Sequence, residues 1–306
     1  MKAPIFLTTA IAALLAACSA GQATPAAQST PTASASQAPS AEPIVVRPAK
    51  VRPPLPATKV PTIQAKSAIV IDTITGRILY QKNARQTRAV ASTQKLLTAL
   101  CVLKAGPLAD PVTVEAADTK VEPSKIYIKA GETYTRRELV KALLVKSGND
   151  VAKSLARDVS GTEAEFVKLM NKTALSIGMT QSHFKNPHGL TEEGQKSTAL
   201  DIATLAREVT KVPYFRECMK TKSYTFTYNN GKTKTLNNTN QVLSRLSYCT
   251  GMKTGTTRAA GRCLVSSGVL NGKAVIAVAL GSTAAEVFND SEKLLRWALN
   301  DPKPKE

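Results

Sequence analysis

A change in composition near residue 64 limits which part of this chain can fold. Residues 18–63 are rich in Ala, Pro, Ser and Thr and have almost no aromatic or large aliphatic side chain before Ile44. Such a segment buries too little apolar surface to offset the entropy lost on ordering, and its later prolines make it extended. We therefore expect a disordered tether over residues 18–63, one folded domain over residues 64–300 and a short tail over residues 301–306.

The N-terminus has the pattern of an export signal. Met1 and Lys2 precede an apolar run over residues 3–17, which is too short to span a bilayer. Leu15-Ala16-Ala17-Cys18 resembles the lipobox of bacterial lipoproteins, which implies a signal peptide over residues 1–17 and lipidation of Cys18. We expect export, anchoring to a membrane by that lipid, and a domain in the periplasm or outside the cell. An ordinary signal peptide is the alternative, and the choice between inner and outer membrane stays open.

Apolar periodicity predicts an α+β fold. Alternation predicts strands at 67–72, 77–80, 224–235, 252–269 and 274–280, with Asn230-Gly231 as a two-residue hairpin turn. Helical periodicity and capping boxes predict helices at 92–104, 135–145, 149–159, 162–178, 198–209 and 283–299. The simplest compact arrangement is one antiparallel sheet flanked by helices plus a mostly helical lobe, with a cleft between them for a substrate.

Charge and cysteine content narrow the classes of partner. The net charge is +19 at pH 7, and the residues before Gln64 contribute only +4 of it, so +15 belongs to the predicted domain. No zinc-finger spacing or RNA-binding signature accompanies this charge, so we expect no nucleic acid, no metal and no cofactor. After lipidation four cysteines remain, which permit three complete disulfide pairings or free buried thiols: Cys101, Cys218, Cys249 and Cys263.

A serine and a lysine at the start of the first predicted helix could form a nucleophile and its base. Ser92 and Lys95 are three residues apart, so both side chains share one helix face. The helix N-terminus favours a developing oxyanion. A serine hydroxyl needs a base within reach, and a lysine serves only if burial or a second cation lowers its pKa. This spacing alone is common and carries little information.

Two further short motifs occupy places where a cleft could use them. Ser147-Gly148-Asn149 lies in a break between two predicted helices, so its side chains could point into a cleft. Lys253-Thr254-Gly255 lies in a predicted strand. Since Gly255 has no side chain, we expect a ligand to lie against this strand as an added edge.

In this order the three motifs match the signature of the penicillin-recognising enzymes. The wider sequence resembles the low-molecular-weight D-Ala-D-Ala carboxypeptidase family, here as a lipoprotein, over about residues 65–299. The resemblance implies a β-lactamase/DD-peptidase-like fold. It is carried, beyond the motifs, by residues 68–80, 91–99, 144–150, 186–190, 197–201, 238–240 and 251–261. Val90, Gln195 and Thr256 stand where family members often have Pro, His and His.

The resemblance implies cleavage of peptidoglycan stem peptides through an acyl-enzyme, and acylation by β-lactams. It implies that Ser92 is the nucleophile, that Lys95 is its base, and that Ser147 passes a proton to the leaving amine. The resemblance also implies an oxyanion hole formed by the backbone N–H groups of Ser92 and Thr256. The remaining motif residues and the residue that follows them would bind the substrate: Asn149, Lys253, Thr254, Gly255 and Thr256. The histidines are not needed for this chemistry, and His188 is expected to be structural.

Three alternatives remain at this point. A class A-like β-lactamase shares the motifs but uses a Glu for deacylation, and no E-x-x-L-N stretch lies between Asn149 and Lys253. A DD-endopeptidase would use the same residues on a cross-linked substrate. A non-catalytic cell-wall-binding lipoprotein would keep the motifs without the activity. The sequence leaves the oligomeric state open.

The lipobox generates the first testable prediction. Replacing Cys18 by Ala should leave the protein unprocessed or release it from the membrane, because the thiol that receives the lipid is gone. Membrane fractionation and mass spectrometry of the N-terminus measure this. A variant that stays membrane-bound and is cleaved at the same position as the wild type would refute the interpretation.

Overall fold

The computed structural model describes residues 59–301. The expected signal peptide, Cys18, most of the tether and residues 302–306 lie outside this range. Ten strands are present: β1 Ser67–Asp72, β2 Ile78–Lys82, β3 Pro111–Thr113, β4 Thr133–Thr135, β5 Ser223–Thr227, β6 Thr233–Asn237, β7 Cys249–Gly251, β8 Thr254–Thr257, β9 Gly261–Leu270 and β10 Lys273–Ser282.

Nine α-helices accompany these strands: α1 Lys95–Ala105, α2 Ala116–Thr119, α3 Arg136–Val145, α4 Asn149–Ser160, α5 Glu163–Ser176, α6 Ala199–Thr210, α7 Pro213–Lys220, α8 Val242–Arg245 and α9 Val287–Leu299. A 3-10 turn over Ala91–Gln94 precedes α1. Within the described range, no helix combines the length and apolar character needed to cross a bilayer.

The main sheet joins the two ends of the domain. Its strand order is β2-β1-β10-β9-β7, with β8 also paired to β9, and the pairs are antiparallel. The N-terminal and C-terminal strands thus share one sheet, as the apolar pattern predicted. The α+β class with an antiparallel sheet flanked by helices is confirmed.

Alternation along β1 explains why the sheet forms the middle layer. Ile69 and Ile71 belong to the core shared with the helical lobe, whereas Ala68 and Val70 belong to the core shared with α9. Successive strand residues point to opposite faces, so the apolar run Ala68–Ile71 needs cover on both sides. The lobe helices and α9 provide that cover.

One predicted turn is wrong in detail. The β5–β6 hairpin forms, but its loop contains three residues, Asn229 to Gly231. Tyr228 and Lys232 still pair, since the Tyr228 amide donates to the Lys232 carbonyl at 2.8 Å, and the Gly231 amide donates to the Tyr228 carbonyl at 2.9 Å. Only Gly231 has a positive φ, +78°. A two-residue type I′ turn would need positive φ at Asn230 as well, so the glycine instead closes a longer turn.

The predicted strand over residues 252–269 is also divided. Met252 has a φ of +111° between β7 and β8, and a turn separates β8 from β9. Sequence alternation does not reveal these breaks, because it records the polarity of each residue and not its backbone φ. The division frees β8 to line the cleft.

Ordered contacts begin inside the expected tether. Ile63 is buried in the core beneath α9, and the amides of Gln64 and Ala65 each donate to the buried Asp290 carboxylate at 2.8 Å. The Ser282 hydroxyl donates to the same carboxylate at 2.6 Å. The chain therefore enters the domain where β10 meets α9.

The four cysteines that remain after Cys18 are buried, unpaired thiols in the described part of the chain. Burial raises the pKa of Cys101, Cys218 and Cys263 to about 11. Among the described residues these cysteines are therefore free buried thiols that pack as small core residues, and they form no disulfide.

Candidate active site

A strained turn presents Ser92 at the mouth of a cleft. Ala91 adopts a left-handed φ of +50°, and the 3-10 turn that follows feeds directly into α1. Ser92 is partly accessible and lines the cleft, whereas Lys95, the first residue of α1, is fully buried. The two side chains lie on one face, as their spacing predicted, and the Lys95 Nζ is 2.8 Å from the Ser92 Oγ.

Gly255 is needed for a reason that differs from the expected one. A Cβ at this position would lie 2.9 Å from the Ser92 nitrogen and the Val90 oxygen, and 3.0 Å from the Thr93 nitrogen. The space beside Gly255 is therefore filled by the backbone of the Ser92 turn. The expectation that its missing side chain admits a ligand is corrected: the glycine lets the sheet approach the nucleophile.

The buried Lys95 amine has three oxygen neighbours. It lies 2.6 Å from the Asn149 Oδ1 and 2.7 Å from the His188 carbonyl oxygen, in addition to Ser92. The Asn149 Nδ2 donates to the Pro123 carbonyl at 2.5 Å, and this bond fixes the orientation of the amide. Both ends of the Asn149 amide are thus engaged by the protein.

The segment from Asn186 to Leu190 holds the Ser92 turn from the other side. The Gln94 Nε2 donates to the Asn186 carbonyl, and the Thr98 hydroxyl donates to the Pro187 carbonyl, both at 2.6 Å. A Cβ on Gly189 would lie 2.3 Å from the Ala91 carbonyl oxygen, so only glycine permits this approach. The segment can therefore place the His188 carbonyl beside Lys95.

Burial changes the protonation of both lysines. It lowers the pKa of Lys95 well below its ordinary value; repulsion from Lys253 lowers it further, and Asp150 partly opposes both. Burial also lowers the pKa of Lys253 to about 7. An ammonium ion loses its hydration in a buried site, so the neutral amine is favoured. Both causes shift Lys95 toward the neutral form that a base requires.

The α3–α4 break aims Ser147 at the cleft. Ser147 has a φ of +70° and lines the cleft, and within residues 59–301 its hydroxyl makes no hydrogen bond. The next two residues hold the loop over residues 124–127. The backbone N–H of Asn149 donates to the Ser124 carbonyl at 2.7 Å, and the Asp150 carboxylate accepts from the backbone N–H groups of Ile126 and Tyr127.

The cleft has a volume of about 400 Å³. Its wall combines the Ser92 turn, the α3–α4 break, the segment around Asn238, β8 and the start of α9. The charged residues among its described lining are Lys146 and Arg262, both basic. The Arg262 Nη1 donates to the Thr256 hydroxyl at 3.1 Å. A site of this charge is suited to an anionic ligand.

The free edge of β8 faces the cleft. Lys253 and Val265 exchange both backbone hydrogen bonds, at 3.0 and 2.9 Å. Antiparallel pairs alternate between bonded and non-bonded positions, so Gly255 bonds to β9 and the backbone of Thr254 and Thr256 points to the open edge. The Thr254 hydroxyl shares a 2.6 Å hydrogen bond with the Thr239 hydroxyl.

The structure thus brings most of the predicted site residues to one place. Lys95, Asn149 and Lys253 are buried behind the wall, and the others line the cleft: Ser92, Ser147, Thr254, Gly255 and Thr256. Sequence reasoning assigned no role to the His188 carbonyl, Asp150 or Thr239. The family resemblance included these segments. The type of a residue, however, does not show where its backbone carbonyl points or which distant hydroxyl it contacts.

Comparisons with known proteins agree with this geometry. A family model described as D-alanyl-D-alanine carboxypeptidase, peptidase S11, matches residues 55–284. The D-alanyl-D-alanine carboxypeptidase DacF of Bacillus subtilis is 36% identical over 243 residues, which cover 78% of this chain and 62% of DacF. The chain therefore spans less than two thirds of that relative.

Two further similarities extend the comparison. The D-alanyl-D-alanine endopeptidase of Escherichia coli is 32% identical over 243 residues, which cover 78% of each protein. A crystal structure of a D-alanyl-D-alanine carboxypeptidase from Mycobacterium tuberculosis superposes with a TM-score of 0.76 at 29% identity. It covers 81% of this chain and 97% of that one.

The contact between Gly255 and the Ser92 turn generates a prediction. Gly255→Ala should slow acylation of Ser92 by about a hundredfold or more, because the added methyl pushes the Ser92 amide out of position. The rate of acylation by a fluorescent penicillin measures this, with circular dichroism as the check on folding. A well-folded variant with an unchanged acylation rate would contradict the prediction.

Proposed function

We propose, because the chain belongs to the D-alanyl-D-alanine carboxypeptidase family, that it is a serine peptidase acting on the terminal D-Ala-D-Ala bond of peptidoglycan stem peptides. The observation that carries the proposal is the 2.8 Å contact between the buried Lys95 amine and the Ser92 hydroxyl. A nucleophile and its base need such a distance.

The oxygen atoms around Lys95 determine which way the lone pair of its neutral amine points. A neutral amine has two N–H donors and one lone pair. The Asn149 Oδ1 and the His188 carbonyl oxygen can only accept, so they take the two N–H groups. The lone pair then faces the Ser92 O–H and can remove its proton as the hydroxyl attacks the peptide carbonyl.

In the proposed mechanism two backbone N–H groups at the cleft bind the oxyanion. We assign this role to the N–H groups of Ser92 and Thr256, because the first belongs to the strained turn and the second to the open edge of β8. Gly255 keeps the two elements in contact. Fixed donors of this kind stabilise the charge that develops in the transition state.

The other end of the cleft is assigned to the substrate carboxylate. The Thr254 hydroxyl can donate to it when Thr239 donates to Thr254. Lys253 lies buried behind β8 and attracts the same carboxylate while it is protonated. The Ser147 hydroxyl, which has no partner within residues 59–301, is free to pass the proton to the leaving amine.

Water then hydrolyses the ester, and a β-lactam would form the same ester on Ser92. A class A β-lactamase activates that water with a Glu. The described residues that line this cleft include no Asp or Glu. This favours a long-lived penicillin adduct over β-lactamase activity, and the intact Ser92–Lys95 contact favours catalysis over binding alone.

The site of action follows from the N-terminal pattern. The lipobox sequence ending at Cys18 supports an exported lipoprotein whose domain works in the periplasm or outside the cell. More than one acyl chain on that cysteine would give a stable anchor. The expected partners are stem peptides, β-lactams and a membrane reached through the lipid.

Covalent labelling tests the assignment of the nucleophile. We expect fluorescent penicillin to label the wild type at Ser92, and Ser92→Ala to lose the label because no oxygen remains to form the ester. Gel fluorescence and peptide mapping measure this, with Ser176→Ala on α5 as the matched control. Equal labelling of the wild type and Ser92→Ala would refute the assignment of Ser92 as the nucleophile.

The two lysines generate a pH prediction. Penicillin acylation and peptide hydrolysis should both rise with pH as Lys95 loses its proton, and both should fall above pH 7 as Lys253 loses its charge, because a penicillin and a stem peptide each carry a carboxylate. Lys253→Ala should move the rising limb to higher pH, because one cause of the depressed Lys95 pKa is removed. The profile of kcat/KM measures both limbs. An unmoved rising limb would leave burial as the only cause.

A further inference from the structure

The segment that carries the His188 carbonyl is a loop held by side-chain hydrogen bonds. The loop spans residues 184–195 and is closed at its base by His183 and Lys196, whose backbone groups exchange hydrogen bonds at 2.8 and 2.9 Å. These residues form no helix or strand. Backbone polar groups inside such a loop need other partners, so its shape depends on the polar side chains that reach across it.

Gln195 bridges the two arms of this loop. Its Oε1 accepts from the backbone N–H groups of Lys185 at 3.0 Å and Asn186 at 3.3 Å. Its Nε2 donates to the Leu190 carbonyl at 2.8 Å. Backbone N–H groups only donate and carbonyl oxygens only accept, so these three bonds fix the orientation of the carboxamide. One side chain therefore ties together the residues on either side of His188.

The same carboxamide reaches the start of α1. Gln94, which directly precedes Lys95, is fully buried. Its Nε2 donates to the Asn186 carbonyl at 2.6 Å and lies 3.4 Å from the Gln195 Oε1. Gln195 therefore contacts both the loop that supplies the His188 carbonyl and the backbone turn that leads into the base.

A small movement of the loop would change the surroundings of the base. The His188 carbonyl oxygen lies 2.7 Å from the Lys95 Nζ and 3.3 Å from the Ser92 Oγ, so a shift of this oxygen alters both partners of the proton transfer. The described lining of the cleft does not include Gln195. Any influence of Gln195 on the reaction therefore passes through the loop.

The fixed charges near the base do not depend on Gln195. The charged or titratable groups around Lys95 and the adjacent His188 ring come from several elements: Lys253 before β8, Asp150 and Lys153 on α4, Glu163 on α5, and His188 and Glu192 on the loop. Burial lowers the pKa of His188 to about 3, so its ring is uncharged at neutral pH. None of these side chains is a hydrogen-bond partner of Gln195 among the described residues. Its replacement would therefore leave these charges in place and change how closely the loop covers Lys95.

We propose that Gln195 is a positioning residue for Lys95: it holds the His188 carbonyl against the amine and keeps the loop closed over it. The inference rests on the proposed acyl-serine function, in which Lys95 removes the proton of Ser92.

The test follows acylation by fluorescent penicillin across the neutral and alkaline pH range. Gln195→Met keeps the length of the side chain and removes its donor and its acceptor. Gln195→His restores one donor and one acceptor, because a neutral imidazole has both. Gln81→Met, at an exposed glutamine on β2, is the matched control. Thermal unfolding reports the stability of each variant.

We expect Gln195→Met to lower the maximal acylation rate about tenfold or more at neutral pH, as a small misplacement of reacting groups implies. The penicillin concentration at half-maximal rate should stay within about twofold of wild type, because the residues that line the cleft are unchanged. The rising limb of the pH profile should move to higher pH. Burial is the largest cause of the lowered Lys95 pKa, and water that enters beside a loosened loop would favour the ammonium form.

Gln195→His should recover the rate and the position of the limb above the ordinary imidazole pKa of about 6.5, and Gln81→Met should match the wild type. A folded Gln195→Met variant with the wild-type rate and limb would overturn the inference. A loss that is equal at every pH, or that Gln195→His does not recover, would also overturn it, since either result indicates a purely structural role. A wild type that penicillin does not label at all would instead refute the acyl-serine function.

Discussion

The arrangement of this site depends on one buried amine, that of Lys95, whose pKa is lowered by its burial. Lys95 is fully buried, and Lys253, also buried, repels a proton on it. Its Nζ contacts two carbonyl-type oxygens and the Ser92 Oγ, and under the proposed function the two carbonyl-type oxygens accept its N–H groups and leave its lone pair for Ser92. A protonated Lys95 has no lone pair and cannot accept a proton, and hydration would keep an exposed lysine protonated at neutral pH. The burial of this side chain is therefore the condition for the proposed chemistry.

Much of the surrounding structure serves to keep that enclosure intact. Gly189 and Gly255 let the 186–190 segment and β8 approach the Ser92 turn more closely than any side chain would allow. Asn149 orients Lys95 while it holds the carbonyl of Pro123. Its neighbour Asp150 fixes the next residues of that loop. A change at one of these positions therefore alters the nucleophile without touching it.

Some of the positive charge of the domain lies beside the cleft. The cleft is bordered by Lys146 and Arg262, and an adjoining hollow by Lys222 and Arg245, with no carboxylate among the described lining of either. Under the proposed function the substrate is an anionic stem peptide, which these cations would attract and orient.

The sequence by itself determined the fold class, most of the longer helices and strands, and the three motifs that meet at the cleft. Apolar periodicity and capping residues are local, and the three motifs have a specific order. Thr135 and Thr162, for example, accept from the amides of Glu138 and Glu165 as predicted. Only the tertiary structure decided the rest. The role of Gly255, the His188 carbonyl at Lys95 and the Thr239–Thr254 pair depend on contacts between residues far apart in the chain. Such contacts depend on packing and on backbone geometry, and neither can be inferred from the type of a single residue.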